Sequence, residues 1–121
     1  DESAFMPHES HADNEEVISR AIAMLSTLMH CREQAHALRA CKQNGRSCER
    51  EEAAFVTCSH DHLPLVIGHL VKIADKHCPE EITELARCRT LNPGSDCARE
   101  DMQALRCASL RVLASAAAPP G

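Results

Sequence analysis

Residues 41–48 read CKQNGRSC, two cysteines enclosing six residues with Asn44-Gly45 at the centre. Asn-Gly is a strong turn dipeptide because both residues tolerate positive φ. Thiols therefore bracket a turn. Cys31 lies ten positions before Cys41, and Cys58 ten positions after Cys48. The figure returns downstream as Cys78, Cys88, Cys97 and Cys107, around the turn signal TLNPGSD. All eight cysteines fall into this one scheme, and the strings ALRAC, ELARC and ALRC echo one another. Duplication of one unit is the simple account.

The spacing has a physical meaning. Ten residues of α-helix rise about 15 Å and turn by roughly 1000°, which leaves the two cysteines about 80° apart on one broad face. Two such helices folded antiparallel across a short turn bring the inner cysteines together beside the turn and the outer ones together at the open end. This predicts Cys41–Cys48 with Cys31–Cys58, and Cys88–Cys97 with Cys78–Cys107. Other pairings within a unit would join cysteines about three helical turns apart, beyond the reach of a disulfide. Chain-entropy estimates assign roughly 3.5 kcal/mol to each outer disulfide and about 2.5 kcal/mol to each inner one. Two packed helices of this size have almost no core of their own, so each reduced hairpin is expected to be largely unfolded.

The rest of the chain frames these hairpins. Residues 1–13, DESAFMPHESHAD, are polar and lack periodicity, as a flexible acidic arm would. Asp13 or Asn14 then caps a helix, with Glu15 and Glu16 in its first turn. Ile18, Ile22, Leu25 and Met29 recur at helical spacing, with Ala21 and Leu28 widening the stripe. No Gly or Pro interrupts residues 14–44, so one helix of about thirty residues is predicted, through Cys31 to Cys41. Gly45 suits a left-handed C-cap. Ser47 can cap the following helix, which runs to about Cys58, with Glu49, Glu51 and Glu52 favourably placed on its dipole. Pro64 opens another helix, LPLVIGHLVKIADKHC, that kinks or restarts at Pro79. Asp96 caps the last helix, which passes Cys107 into ASLRVLASA. The expected organisation is an arm (1–13), a first unit with its lead-in helix (14–59), a second unit with its lead-in helix (60–108), and a helix extension with an Ala/Pro tail (109–121). The fold class is all-α: two disulfide-stapled antiparallel helical hairpins, each preceded by an amphipathic or apolar helix.

Composition narrows the function. The chain has no Trp, no Tyr and only two Phe, so large aromatic core anchors are nearly absent. Net charge is −5, with 13 basic residues scattered among 18 acidic ones, which argues against a nucleic-acid footprint. The longest apolar run, LPLVIGHLV, is broken by His69 and too short to span a bilayer. No Arg-rich presequence is visible in the acidic start.

A helical hairpin with C-x₉-C on each arm resembles the twin C-x₉-C, coiled-coil–helix–coiled-coil–helix family. The resemblance covers residues 31–107 and the motif occurs twice. It implies residence in the mitochondrial intermembrane space, peripheral on the inner membrane, with the disulfides formed by that compartment's import oxidoreductase as a transient partner. That import route uses no cleavable presequence. Its docking signal places apolar residues a turn from a cysteine, and Leu38, Phe55, Leu85 and Ala104 stand three residues ahead of Cys41, Cys58, Cys88 and Cys107. Within the family, four C-x₉-C motifs in one chain look most like the double-hairpin accessory subunits of respiratory complex I, and HCPEEITELARC resembles the start of their second hairpin. The chain departs from them in a shorter turn between Cys41 and Cys48, a longer connection from Cys58 to Cys78, and few aromatics. The implied function is a non-catalytic structural subunit clamped over membrane-arm subunits. The alternatives are an accessory subunit of ATP synthase or cytochrome oxidase, or a soluble assembly factor or metal chaperone.

Other uses of cysteine fit less well. Structural zinc sites favour pairs two to four residues apart, and the chain has no C-x₂-C. It also lacks the Cys-Cys of the family's copper chaperones, the Cys-Pro-Cys of its oxidoreductase and the C-x-x-C of thioredoxin-like sites. SHDH brings His60, Asp61 and His62 together, but no further ligand is placed, so a solvated loop is the preferred reading. His30 and His77, each preceding the first cysteine of a unit, read as buried or capping residues or as products of the duplication rather than as chemistry. No nucleophile stands in a recognisable setting, so no catalytic residue, cofactor or metal is expected. What remains is the surface. Ile18, Ile22, Leu25 and Met29, with Leu65, Ile67, Leu70 and Val71, form stripes that either cover the hairpins or dock onto a partner.

Overall fold

A computed structural model describes residues 11–117, with side chains from 13 to 115. The described residues form six helices: α1 (His11–Met29), α2 (Arg32–Gln43), α3 (Glu49–Asp61), α4 (Leu63–His77), α5 (Pro79–Leu91) and α6 (Ala98–Ala117). The fold is all-helical. α2 pairs with α3 and α5 with α6, giving two disulfide-stapled hairpins. Contacts divide the chain into Ile22–Ile67 and a second unit joining Asp1–Ala21 with Gly68–Gly121. The sequence reading divides at residues 59 and 60, whereas this division falls inside α1 and α4.

The single long helix expected over residues 14–44 is two helices. The break is at His30–Cys31, where no Gly or Pro announces it. The Ser26 carbonyl accepts from both His30 N–H (3.0 Å) and Cys31 N–H (2.7 Å), which widens the last turn of α1. Cys31 then leaves helical geometry (φ −122°, ψ 37°), and its carbonyl accepts from Ala35 N–H to begin α2. α1 also begins earlier than expected, at His11, so residues 11–13 belong to a helix rather than to the arm. The rest of the arm, 1–10, and the tail from 118 lie outside the described residues.

The other boundaries follow local chemistry. Gly45 adopts φ 71°, the left-handed position that lets the chain leave α2 without a Cβ penalty. α3 starts from Cys48 rather than Ser47, and no side chain caps it. His62 ends α3, and its carbonyl accepts from Leu65 and Val66 N–H, so α4 starts at once. Pro64 sits in the first turn of α4, where no N–H is needed. Pro79 is likewise the first residue of α5. Before α6, Asp96 Oδ1 accepts from Ala98 N–H and Ser95 Oγ from Cys97 N–H, both at 3.1 Å. These bonds accompany a left-handed Cys97 (φ 52°), a conformation that L-residues with a Cβ resist.

The core is thin. No residue of α2 or α3 is buried, and α5 buries only Leu85. Lead-in helices bury narrow lines: Asn14, Ile18, Ala21 and Leu25 on α1, and Val66, Leu70 and Ala74 on α4. Cys31, Cys48, Cys78 and Cys97 add to the buried set, with Ser26 of α1 and Ala104, Ala108 and Ser109 of α6. Half-cystines thus do work that aromatic side chains do elsewhere.

Candidate functional site: the staples and the base of the first hairpin

The four disulfides are Cys31–Cys58, Cys41–Cys48, Cys78–Cys107 and Cys88–Cys97, with Cα–Cα separations of 6.0, 6.0, 6.2 and 6.1 Å. No free cysteine remains. Each bond joins two kinds of cysteine. One member stands just before a helix and is buried: Cys31, Cys48, Cys78 or Cys97. Its partner lies within the facing helix and is half-buried: Cys58, Cys41, Cys107 or Cys88. The C-x₉-C spacing is therefore a helix-start cysteine followed by a helix cysteine in three turns' time, not two cysteines inside one helix.

The bases of the two hairpins differ. In the first, Ser59 Oγ donates to the fully buried Ser26 Oγ at 3.1 Å. The rings of His30 and His62 stack at 4.7 Å with planes 11° apart. His62 Nδ1–H donates to the Cys58 carbonyl at 2.8 Å, which also accepts the His62 backbone N–H. The same Nδ1 lies 3.7 Å from Cys58 Sγ. His30 Nε2 is buried and has no hydrogen-bond partner. The second hairpin replaces this polar seam: Ala108, fully buried, follows Cys107 where Ser59 follows Cys58, and Arg111 stands where the first unit has His62. His77, the counterpart of His30, is exposed. Duplication accounts for the cysteines and for the correspondence of His30 with His77, but not for His62 or the stack it makes. His60 is exposed and joins no three-ligand grouping among the described residues.

The expected partner-facing side chains separate into two sets. Ile18, Leu25 and Leu70 are buried and take the first of the two options, covering the core. Ile22 and Ile67 are half-buried. Met29, Leu65 (60% exposed) and Val71 remain on the surface, joined by Leu28 at 54%. The separation has a geometric cause: the buried line on α1 passes through Ala21 and ends at Ser26, which turns Leu28 and Met29 outward. Leu38 and Phe55 line an open groove of the first hairpin with Thr27 and Ala35, whereas Leu85 and Ala104 are buried beside a cleft of about 170 Å³ in the second. No helix among the described residues is long and apolar enough to cross a membrane.

The fold and its staples define a class: an oxidised all-helical protein of two hairpins with nested disulfides, compatible with a twin C-x₉-C-type domain. Comparison with protein-family models, curated proteins and solved structures finds no match to this chain.

Proposed function

We propose that the protein is a non-catalytic accessory subunit of the twin C-x₉-C type, peripheral on the intermembrane-space face of a mitochondrial inner-membrane oxidative-phosphorylation complex, respiratory complex I foremost. The observation that carries this reading is the pair of hairpins, each closed by nested C-x₉-C disulfides over a core too thin to hold it. Such a chain needs an oxidising compartment to keep its shape. The exposed Leu28, Met29, Leu65 and Val71 on the lead-in helices support docking onto a larger partner through apolar contact. In this role the disulfides supply rigidity and the lead-in helices supply adhesion. Leu38, Phe55, Leu85 and Ala104 serve earlier, guiding the unfolded chain to the import oxidoreductase.

The test is gentle detergent extraction of mitochondria, native-gel separation and mass spectrometry of this protein across the gel. Co-migration with complex I subunits is the expected result. Migration with ATP synthase or cytochrome oxidase would replace the complex while keeping the compartment and the structural role. A signal confined to low-mass soluble fractions would sink the subunit reading and point to a free assembly factor.

A further inference from the structure

The base of the first hairpin holds more chemistry than a staple requires. The Sγ atoms of Cys31 and Cys58 and an imidazole nitrogen of His62 lie within 4.8 Å of one another. The Cys58 Sγ to His62 Nδ1 distance is 3.7 Å, close to the edge of about 3.5 Å expected between sulfur and nitrogen ligands around zinc. Cys58 and His62 are also a C-x₃-H pair, one helical turn apart, which directs both toward the same point. A second observation is independent of this geometry. His30 Nε2, on the ring stacked against His62, is buried without a hydrogen-bond partner, and a bound ion with its water would supply one. Among the described residues, the metal-ligating side chain grouped with each of the other three disulfides is a glutamate: Glu51, Glu81 or Glu100. We propose that Cys31, Cys58 and His62 form a redox-gated zinc site, occupied when the Cys31–Cys58 disulfide is reduced.

The steps balance. A dithiol reductant attacks one sulfur of Cys31–Cys58 through a thiolate, and the other sulfur leaves as a thiolate and takes a proton. The reductant's second thiol displaces the first cysteine and closes a disulfide on the reductant. Two electrons have passed to the chain, which now carries two thiols. Zinc displaces both thiol protons to water and binds the two thiolates. His62 shifts its proton from Nδ1 to Nε2 through solvent, and the freed Nδ1 lone pair becomes the third protein ligand. Water completes the tetrahedron. The ion then closes the same loop that the disulfide closed, so one hairpin has two interchangeable clasps, one for each redox condition. The spacing argument against zinc considers cysteines close in sequence, whereas these two are brought together by the hairpin.

The experiment uses the full chain, reduced with a phosphine that contributes no thiol ligand, and titrated with zinc against a chromogenic chelator. Far-UV circular dichroism is recorded in parallel. The expected result is tight uptake of one zinc ion with a gain of helix. His62→Ala should weaken uptake at least tenfold and abolish the helix gain, while His60→Ala leaves both unchanged. Both variants, oxidised, should retain the helix content of the parent, which separates ligand loss from misfolding. Equal uptake by the parent and His62→Ala would overturn the proposal, because scattered thiols would then be the ligands. Equal losses in His60→Ala and His62→Ala would overturn it in favour of the SHDH loop. No uptake by the reduced parent would overturn it outright.

Discussion

At the scale of single residues, the costs of this fold sit at a few positions. Gly45 holds φ 71° with open space around it, since no heavy atom lies within 4 Å of where a Cβ would be. Gly45→Ala therefore meets no clash and changes only backbone preference. It should lower stability by about 1 kcal/mol, read as a lower midpoint in thermal unfolding of the oxidised protein. The Ser26–Ser59 bond offers a sharper test. Ser59→Ala leaves the fully buried Ser26 hydroxyl without its donor and should cost about 1 kcal/mol. The Ser26→Ala/Ser59→Ala double variant should recover part of that loss, because no unpaired buried hydroxyl then remains, and a double-mutant cycle in denaturant measures the coupling. The second hairpin already uses an alanine, Ala108, at the position of Ser59.

At the scale of elements, each hairpin is held by an outer and an inner disulfide enclosing loops of different length. Cys31 and Cys58 are 27 apart in sequence, and Cys41 and Cys48 only 7. A Cys31→Ser/Cys58→Ser variant should consequently lose roughly 1 kcal/mol more than Cys41→Ser/Cys48→Ser, a gap readable as the difference in unfolding midpoints. The lead-in helix α4 makes a similar contrast. Leu70→Ala removes a fully buried side chain and should cost roughly 2–5 kcal/mol, whereas Leu65→Ala should stay within about 0.5 kcal/mol of the parent. Much of this was legible in the sequence. The helical repeat and the cysteine spacing constrain each other, so hairpins and candidate pairings follow from counting. Pro64, Pro79 and Gly45 mark their boundaries because each carries a fixed backbone preference. The break at His30–Cys31 carries no such mark. It depends on the Ser26 carbonyl taking two donors and on Cys31 being tied to a distant helix, both of which are tertiary facts. The histidine stack is hidden for the same reason, since His30 and His62 meet only after the hairpin closes. Burial of Leu25 and exposure of Met29 likewise depend on where α1 ends, which periodicity alone does not fix.

At the scale of the whole molecule, stability and docking draw on different side chains. Among the described residues the largest fully buried side chains are Leu70, Val66, Cys31, Cys78, Ser26 and Ser109, a set with no aromatic and two half-cystines. Reduction should accordingly remove most of the helical signal at 222 nm in metal-free buffer, and reoxidation should restore it. The exposed Leu65 and Val71 contribute little to that stability. A Leu65→Ser/Val71→Ser variant should keep the oxidised unfolding midpoint yet incorporate less well into the large complex, as measured by native gel after expression in cells. Loss of incorporation without loss of stability would assign the α4 surface to a partner. Unchanged incorporation would move the search to Leu28 and Met29 on α1, or to the groove lined by Leu38 and Phe55.

The nesting of one disulfide inside another also has a mechanical consequence. If the oxidised chain is pulled by its ends, force runs through Cys31–Cys58, α4 and Cys78–Cys107 and bypasses the residues that each disulfide encloses. Each outer bond shields a stretch that would extend to roughly 90 Å if freed. The inner bonds, Cys41–Cys48 and Cys88–Cys97, carry no tension until their outer partners are cut. Opening an inner bond alone adds no length under load, so the first gain in length of each hairpin waits on its outer bond. A tether built this way keeps its length until an outer bond opens, whatever has become of the inner one.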